Sequence, residues 1–172
     1  SLGTMVANLS AHKAGWDNKW KLFSDWAVKG QAYKEQLLFL VDEDTNAFNK
    51  IIDGFRMPKD TNEEKQARAL AIENATIYAT EIPFKVMETA FQSMEVMQAM
   101  LKDGLQNSLS DAGVGVLCAR TAVIGAYFNV RINAKDIKDR AFAASILAKA
   151  AIIYEQTIAI ENDTIAFIDS KI

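Results

Sequence analysis

The sequence predicts an all-α domain, on three observations. Only 8 Gly and 2 Pro occur in 172 residues, well below average usage, so turn-formers are scarce. Alanine, the strongest helix former, occurs 26 times. Apolar residues also recur at helical spacing through most of the chain. Half of the residues are hydrophobic, enough for a core, and the length predicts one domain over residues 1–172.

Breaks divide the chain into about five to six helices. The first opens with the chain (Leu2, Met5, Val6, Leu9) and ends near Gly15. There is no initiator Met, so upstream sequence is expected to be missing. A long second helix runs to about Gly54, with Gly30 as a kink or break. The Met57-Pro58-Lys59-Asp60 loop follows, and Thr61 with Glu64 reads as a capping box opening a helix over 62–81. Pro83 suits the first position of a separate helix over 84–102. Its stripe of Phe84, Met87, Phe91, Met94 and Leu101, widened by Met97 and Met100, reads as core. Two more helices follow, over 110–132 and 137–168. Residues 112–130 carry only Arg120 and are long enough to span a membrane. Arg120, Asn129 and the many small residues favour the central helix of a soluble bundle instead.

The chain has a single His12 and a single Cys118, which excludes several chemistries. A structural zinc site needs four His or Cys ligands, and a helical di-iron site needs two Glu-x-x-His pairs. No intrachain disulfide can form, which fits a reducing, cytoplasmic setting. The net charge of −3 and the absence of a basic stripe argue against nucleic acid as a partner. Catalysis, if present, falls to carboxylates, lysines, amides and backbone groups.

One carboxylate stands out in Leu37–Phe55. At 100° per residue, Leu37, Val41, Phe48, Ile51, Ile52 and Phe55 share one face, within about 60° of Leu37. Asp44 falls on that face, whereas Asp42 and Glu43 point away. Burial there would raise its pKa toward neutrality, as a general acid or base requires. The plainer alternative is a buried Asp satisfied by an Arg or a backbone group, and spacing alone favours it. A second candidate is Asn107-Ser108-Leu109-Ser110-Asp111-Ala112-Gly113-Val114-Gly115. Ser110 or Asp111 would cap the central helix, and its glycines would admit a ligand or, more simply, a neighbouring helix. Arg120, Tyr127 and Arg131 lie within about 40° of one another. They could grip a carboxylate, or pair with Asp44 or Asp111. Lys59 reads as a solvated loop lysine. Trp16, Trp20 and Trp26 share no stripe and fit a helix junction or subunit contact.

Taken in order, these segments resemble the cyclodeaminase domain of formiminotransferase-cyclodeaminase and related stand-alone cyclodeaminases and methenyltetrahydrofolate cyclohydrolases. The matching pieces are Met5-Val6-Ala7-Asn8-Leu9, Val41-Asp42-Glu43-Asp44-Thr45-Asn46-Ala47-Phe48 and Arg56-Met57-Pro58-Lys59-Asp60-Thr61-Asn62-Glu63-Glu64-Lys65. Ile82-Pro83-Phe84, Ser110-Asp111 and Gly125-Ala126-Tyr127-Phe128-Asn129-Val130-Arg131-Ile132-Asn133 complete the match. The resemblance implies an up-and-down bundle, a homodimer, and a tetrahydrofolate derivative as substrate with no bound cofactor. It makes Asp44, the second acid of the Asp-x-Asp block, the catalytic residue. Ser110, Asp111, Asn129 and Asn133 are then expected to orient the pterin or one-carbon unit, and Lys59 to meet the glutamate tail. Arg120 and Arg131 are not carried over as family positions. The expected reaction closes 5-formimidoyltetrahydrofolate to 5,10-methenyltetrahydrofolate with loss of ammonia, in histidine degradation, fed by a separate formiminotransferase and without a membrane. Alternatives are methenyltetrahydrofolate cyclohydrolase and a non-catalytic folate-binding or scaffold dimer. The family's glycine-rich segment ahead of the first helix is absent from this sequence.

Overall fold

In a computed structural model describing residues 1–172, five α-helices and two single 3-10 turns carry the chain, with no β-strand. They are α1 (Leu2–Ala11), α2 (Trp20–Arg56), α3 (Asn62–Asp103), α4 (Leu109–Asn133) and α5 (Arg140–Asp169). The centre is α3, which packs against α2 on one side and α4 on the other, while α5 covers α4. Gly30 and Gly115 both face Val96–Met97, and Glu43 and Asn133 both meet Tyr78–Ala79. So α2 and α4 run in the same direction, flanking an antiparallel α3. The short α1 lies against both at the Gly30–Gly115 end.

The helix starts show why these residues form these elements. Thr61 and Glu64 make the expected capping box: Glu64 N–H donates to Thr61 Oγ1 at 3.2 Å, and Thr61 N–H to Glu64 Oε2 at 3.0 Å. Asp139 caps α5 by accepting from the amides of Ala141 and Phe142, both at 3.0 Å. The central helix begins differently from expectation. A 3-10 turn over Gln106–Ser108 leads into it, so Ser110 and Asp111 lie inside its first turn and neither caps it.

Two expected breaks are absent. Gly30 sits within a continuous α2, where its missing side chain makes room for α1: a Cβ there would lie 2.5 Å from Thr4 Oγ1. Pro83 sits buried within a continuous α3 and divides nothing. An interior proline removes an N–H and leaves the carbonyl four residues back without its helical partner. That carbonyl belongs to Ala79, and Asn133 Nδ2 of α4 donates to it at 2.7 Å. The orphaned acceptor is satisfied from another helix, so α3 continues.

The largest core cluster joins α1 to α4 through Val6, Phe23, Met94, Met97, Met100 and Val116. Met87, Val123, Val130 and Ile146 form a second between α3, α4 and α5. The methionine stripe of α3 is therefore core, as expected. Gly113 and Gly115 serve close packing: a Cβ on the first would meet Ile168 Cδ1 at 2.3 Å, and on the second Met97 Cγ at 2.8 Å. Trp16 stacks on Phe23, ring centroids 5.6 Å apart, at the α1–α2 junction. The helical segments 106–133 and 140–169 are each long and apolar enough to cross a membrane. Contrary to expectation, α4 is not enclosed: Val114, Leu117, Phe128 and Ile132 are exposed on the side away from α3 and α5.

Candidate functional site

The Asp44 region sits on a face of α2 that the sequence reading took for core. The residues of α2 turned to α3 are Leu40, Ala47 and Gly54, rotated from the Leu37 stripe by a little under a quarter turn. Small residues decide this. A Cβ on Gly54 would meet Ile72 Cγ1 at 3.0 Å, so the side carrying Ala47 and Gly54 lets the two helices approach most closely. The greasier stripe is left outside: Val41 is 63% exposed, Phe48 61% and Phe55 55%. Asp44 lies among them, exposed and outside every ion pair. In the single chain it is neither the buried acid nor the Arg-paired Asp that spacing allowed.

Its neighbour Glu43 has the opposite surroundings. Tyr78 Oη of α3 donates to Glu43 Oε2, and Asn46 Nδ2 donates to Oε1 at 3.0 Å. The Lys50 ammonium lies over the Tyr78 ring, 3.8 Å from its centroid. The Tyr78 hydroxyl, and then the Asn46 amide, hold the Glu43 carboxyl below its usual range against the opposing effect of burial. The same bond pushes the Tyr78 hydroxyl up. Sequence reasoning missed this cluster. The spacing Glu43, Ala47, Lys50, Gly54 marks one helical face, but nothing local indicates that Tyr78 stands opposite.

An open cavity of about 370 Å³ lies beside this face, between Leu37, Leu38 and Val41 of α2 and Cys118 and Ala122 of α4. Ala90, Ser93 and Met97 of α3 form its floor, and Ser1 with the first residues of α1 closes one end. Asp44 follows Val41 by one helical turn, just beyond the cavity wall. Tyr33 also lines the cavity and donates to Glu95, which Lys29 holds at 2.6 Å. Burial, reinforced by the hydrogen bond to Glu95, pushes the Tyr33 hydroxyl up to about 12.

The remaining candidates divide into two groups. Asn129 and Asn133 lie at the end of α4 that the Tyr78–Ala79 contacts bring level with Glu43 and Asp44. Asn129 is exposed, and Asn133 spends its amide group on Ala79. Ser110 and Asp111 lie at the opposite end, about 27 Å of helix from Asn129. One chain therefore does not gather all four around Asp44. Lys59 is exposed in the loop after α2, beyond a further stretch of about 18 Å of helix from Asp44. Arg120 pairs with Glu161 of α5, Nε to Oε2 at 3.0 Å, and not with Asp44 or Asp111. Arg131 lies over the Tyr127 ring, which stacks on Tyr154 of α5 with centroids 4.9 Å apart. This trio joins α4 to α5.

Fold and site together define a small all-α domain with one unpaired acid standing on an open apolar face beside a cavity. Comparison with known proteins makes this specific. The family model described as formiminotransferase-cyclodeaminase matches residues 1–152, and the chain belongs to that family. A methenyltetrahydrofolate cyclohydrolase from Methylorubrum extorquens is 29% identical over 172 residues, covering 100% of this chain and 83% of that protein. The formimidoyltransferase-cyclodeaminase of Mus musculus is 33% identical over 142 residues, 83% of this chain; the match spans only 26% of that longer protein. Among solved structures, a formiminotetrahydrofolate cyclodeaminase from Thermotoga maritima matches 99% of this chain and 79% of its own, with a TM-score of 0.78 at 19% identity. That match supports the bundle fold. The relatives named are enzymes.

Proposed function

We propose that this protein acts on the one-carbon bridge between N5 and N10 of tetrahydrofolate, with Asp44 as its proton-transfer group. The observation that carries this reading is the placement of Asp44: an unpaired carboxylate between Val41 and Phe48 on an apolar helix face that its own chain leaves uncovered. A bare acid weakens a packing face, so chemistry is the better account of it there.

In cyclodeamination, N10 attacks the carbon of the protonated formimidoyl group on N5, gives its proton to the Asp44 carboxylate and forms a tetrahedral aminal. Asp44 delivers a proton to the departing nitrogen, the carbon–nitrogen bond breaks, and ammonia leaves 5,10-methenyltetrahydrofolate. The proton it delivers is the one it took from N10 on attack; with it the nitrogen, already an NH2 in the aminal, leaves as NH3 and Asp44 is again a carboxylate. The scheme needs no bound metal or cofactor, because the substrate supplies both nucleophile and electrophile. Covering the apolar face with a second copy of the chain would exclude water from Asp44 and the reacting carbon. The homodimer, a cytoplasmic location, a separate formiminotransferase and a place in histidine degradation belong to the same reading. So do Ser110, Asp111, Asn129 and Lys59 as substrate contacts; Asn133, expected among them, has its amide group on the Ala79 carbonyl instead. With the first two at the far end of α4, they would reach an Asp44 only from another subunit.

A second reading has one observation of its own. The Methylorubrum relative, aligned over this whole chain, is named for cyclohydrolase activity. In that reaction water adds to the amidinium carbon of the methenyl compound, and the same acid would manage the protons. Ammonia release from 5-formimidoyltetrahydrofolate, measured beside hydrolysis of 5,10-methenyltetrahydrofolate, separates the two. Asp44→Asn should remove whichever activity is present, by at least about a hundredfold for lost general acid–base catalysis, while circular dichroism stays unchanged. Unchanged turnover in Asp44→Asn would end the proposed mechanism. Folate binding without either reaction would favour the non-catalytic dimer.

A further inference from the structure

Tyr78 and Ala79 are consecutive on α3, yet they hold different helices. Tyr78 Oη donates to Glu43 of α2, and the carbonyl of Ala79 accepts from Asn133 Nδ2 of α4 at 2.7 Å. Pro83 has no N–H to offer that carbonyl, so Asn133 stands in for the helical donor. In an uninterrupted helix the Ala79 carbonyl would serve residue 83 of its own ladder. Glu43 is also tied down from within α2, by Asn46. Its side chain therefore fixes how α2 is rotated at the turn where Asp44 stands.

We infer that Tyr78 and the Pro83-freed carbonyl of Ala79 form a brace that sets both walls of the Asp44 site. Tyr78 fixes the rotation of α2, so that Asp44 faces away from α3 when Glu43 faces toward it. Asn133 fixes the height of α4, and with it Asn129 one turn earlier. Tyr78 and Asn133 are thus positioning residues, acting through the helices that carry Asp44 and Asn129. The inference rests on the reading of Asp44 as the acid. The competing account is purely structural: Asn133 silences a buried orphan carbonyl and does nothing more.

A pair of variants separates the accounts. Asn133→Ala leaves the Ala79 carbonyl unpaired and should lower both Tm and turnover. Adding Pro83→Ala returns an N–H to that carbonyl, so the double variant satisfies the acceptor without gripping α4. The brace predicts that Tm recovers in the double variant while kcat stays about ten- to a hundredfold low, the scale of a small misplacement at a reacting centre. It predicts little change in KM, and faster amide hydrogen exchange at 129–133. Tyr78→Phe keeps the ring and loses the hydroxyl. It should lower kcat similarly and accelerate exchange at 43–47. Recovery of kcat together with Tm, or unchanged exchange in both segments, would overturn the brace. If the wild-type protein turns over neither folate, the proposed function fails and the exchange data alone decide the brace: unchanged rates defeat it, accelerated rates sustain it.

Discussion

Asp44 and Glu43 are adjacent acids in different surroundings, and the helix geometry sets them apart. A single residue step rotates the side chain by about 100°, which puts Glu43 against Tyr78 and leaves Asp44 on the open face. The Glu43 carboxyl is held low chiefly by the Tyr78 hydroxyl, then by Asn46. The unfolded chain therefore binds that proton more tightly than the native one. The stability it contributes is present above the unfolded carboxylate value, about 4.3, and is lost as pH falls through the lower native value. Glu43→Gln should accordingly lower Tm at neutral pH and show a flatter acid limb, so that the two curves converge as pH falls through the lowered native value. Parallel melting curves across the acid range would show that the carboxylate charge contributes nothing there. The group is at the surface, where such pairs are worth little, so the convergence is the diagnostic and not the size of the gap.

At the scale of elements, what could be read from the sequence depended on how local the cause was. Thr61 and Glu64 make a complete capping box within four residues, and both of its hydrogen bonds form. Thr61→Ala should cost about 1 kcal/mol, read as a lower urea midpoint with an unchanged slope. A loss near zero would mean that the α2–α3 loop, not the cap, starts the helix. The fate of Pro83 was not legible in this way, because Asn133, the residue that keeps α3 whole, lies 54 residues from Ala79. The start of α4 failed for a similar reason: the 3-10 turn ahead of it takes the place of a side-chain cap. The orientation of α2 is the most instructive miss. Hydrophobic periodicity located its greasiest face, but close approach to α3 selected the face with Ala47 and Gly54. Hydrophobicity identifies surface that avoids water; small residues identify where helices touch. Around Asp44, its place among apolar residues was legible, whereas its exposure, the Glu43–Tyr78 pairing and the distance from Asp111 to Asn129 required the fold.

For the whole molecule, the exposed stripes on α2 and α4 raise the question of what covers them. Leu38 and Val41 of α2 and Cys118 and Ala122 of α4 border the same cavity, so both helices contribute to one side of the bundle. Phe48 and Phe55 extend that apolar surface along α2, and Phe128 and Ile132 extend it along α4. Faces of this kind mark association sites, and a second copy is the proposed occupant because it would also complete the proposed chemistry. Light scattering should then give twice the 19.0 kDa chain mass, with a Tm that rises with protein concentration. Phe48→Glu tests the link between assembly and activity. It sets a carboxylate one turn from Asp44, in a face that must lose water on pairing, so the mass should fall to that of one chain with helicity retained. If the site is completed only by pairing, turnover should fall with the mass and rise again at high protein concentration. A monomeric Phe48→Glu protein with full turnover would place the site within one chain, and Ser110 and Asp111, at the far end of α4, would then have no part in it.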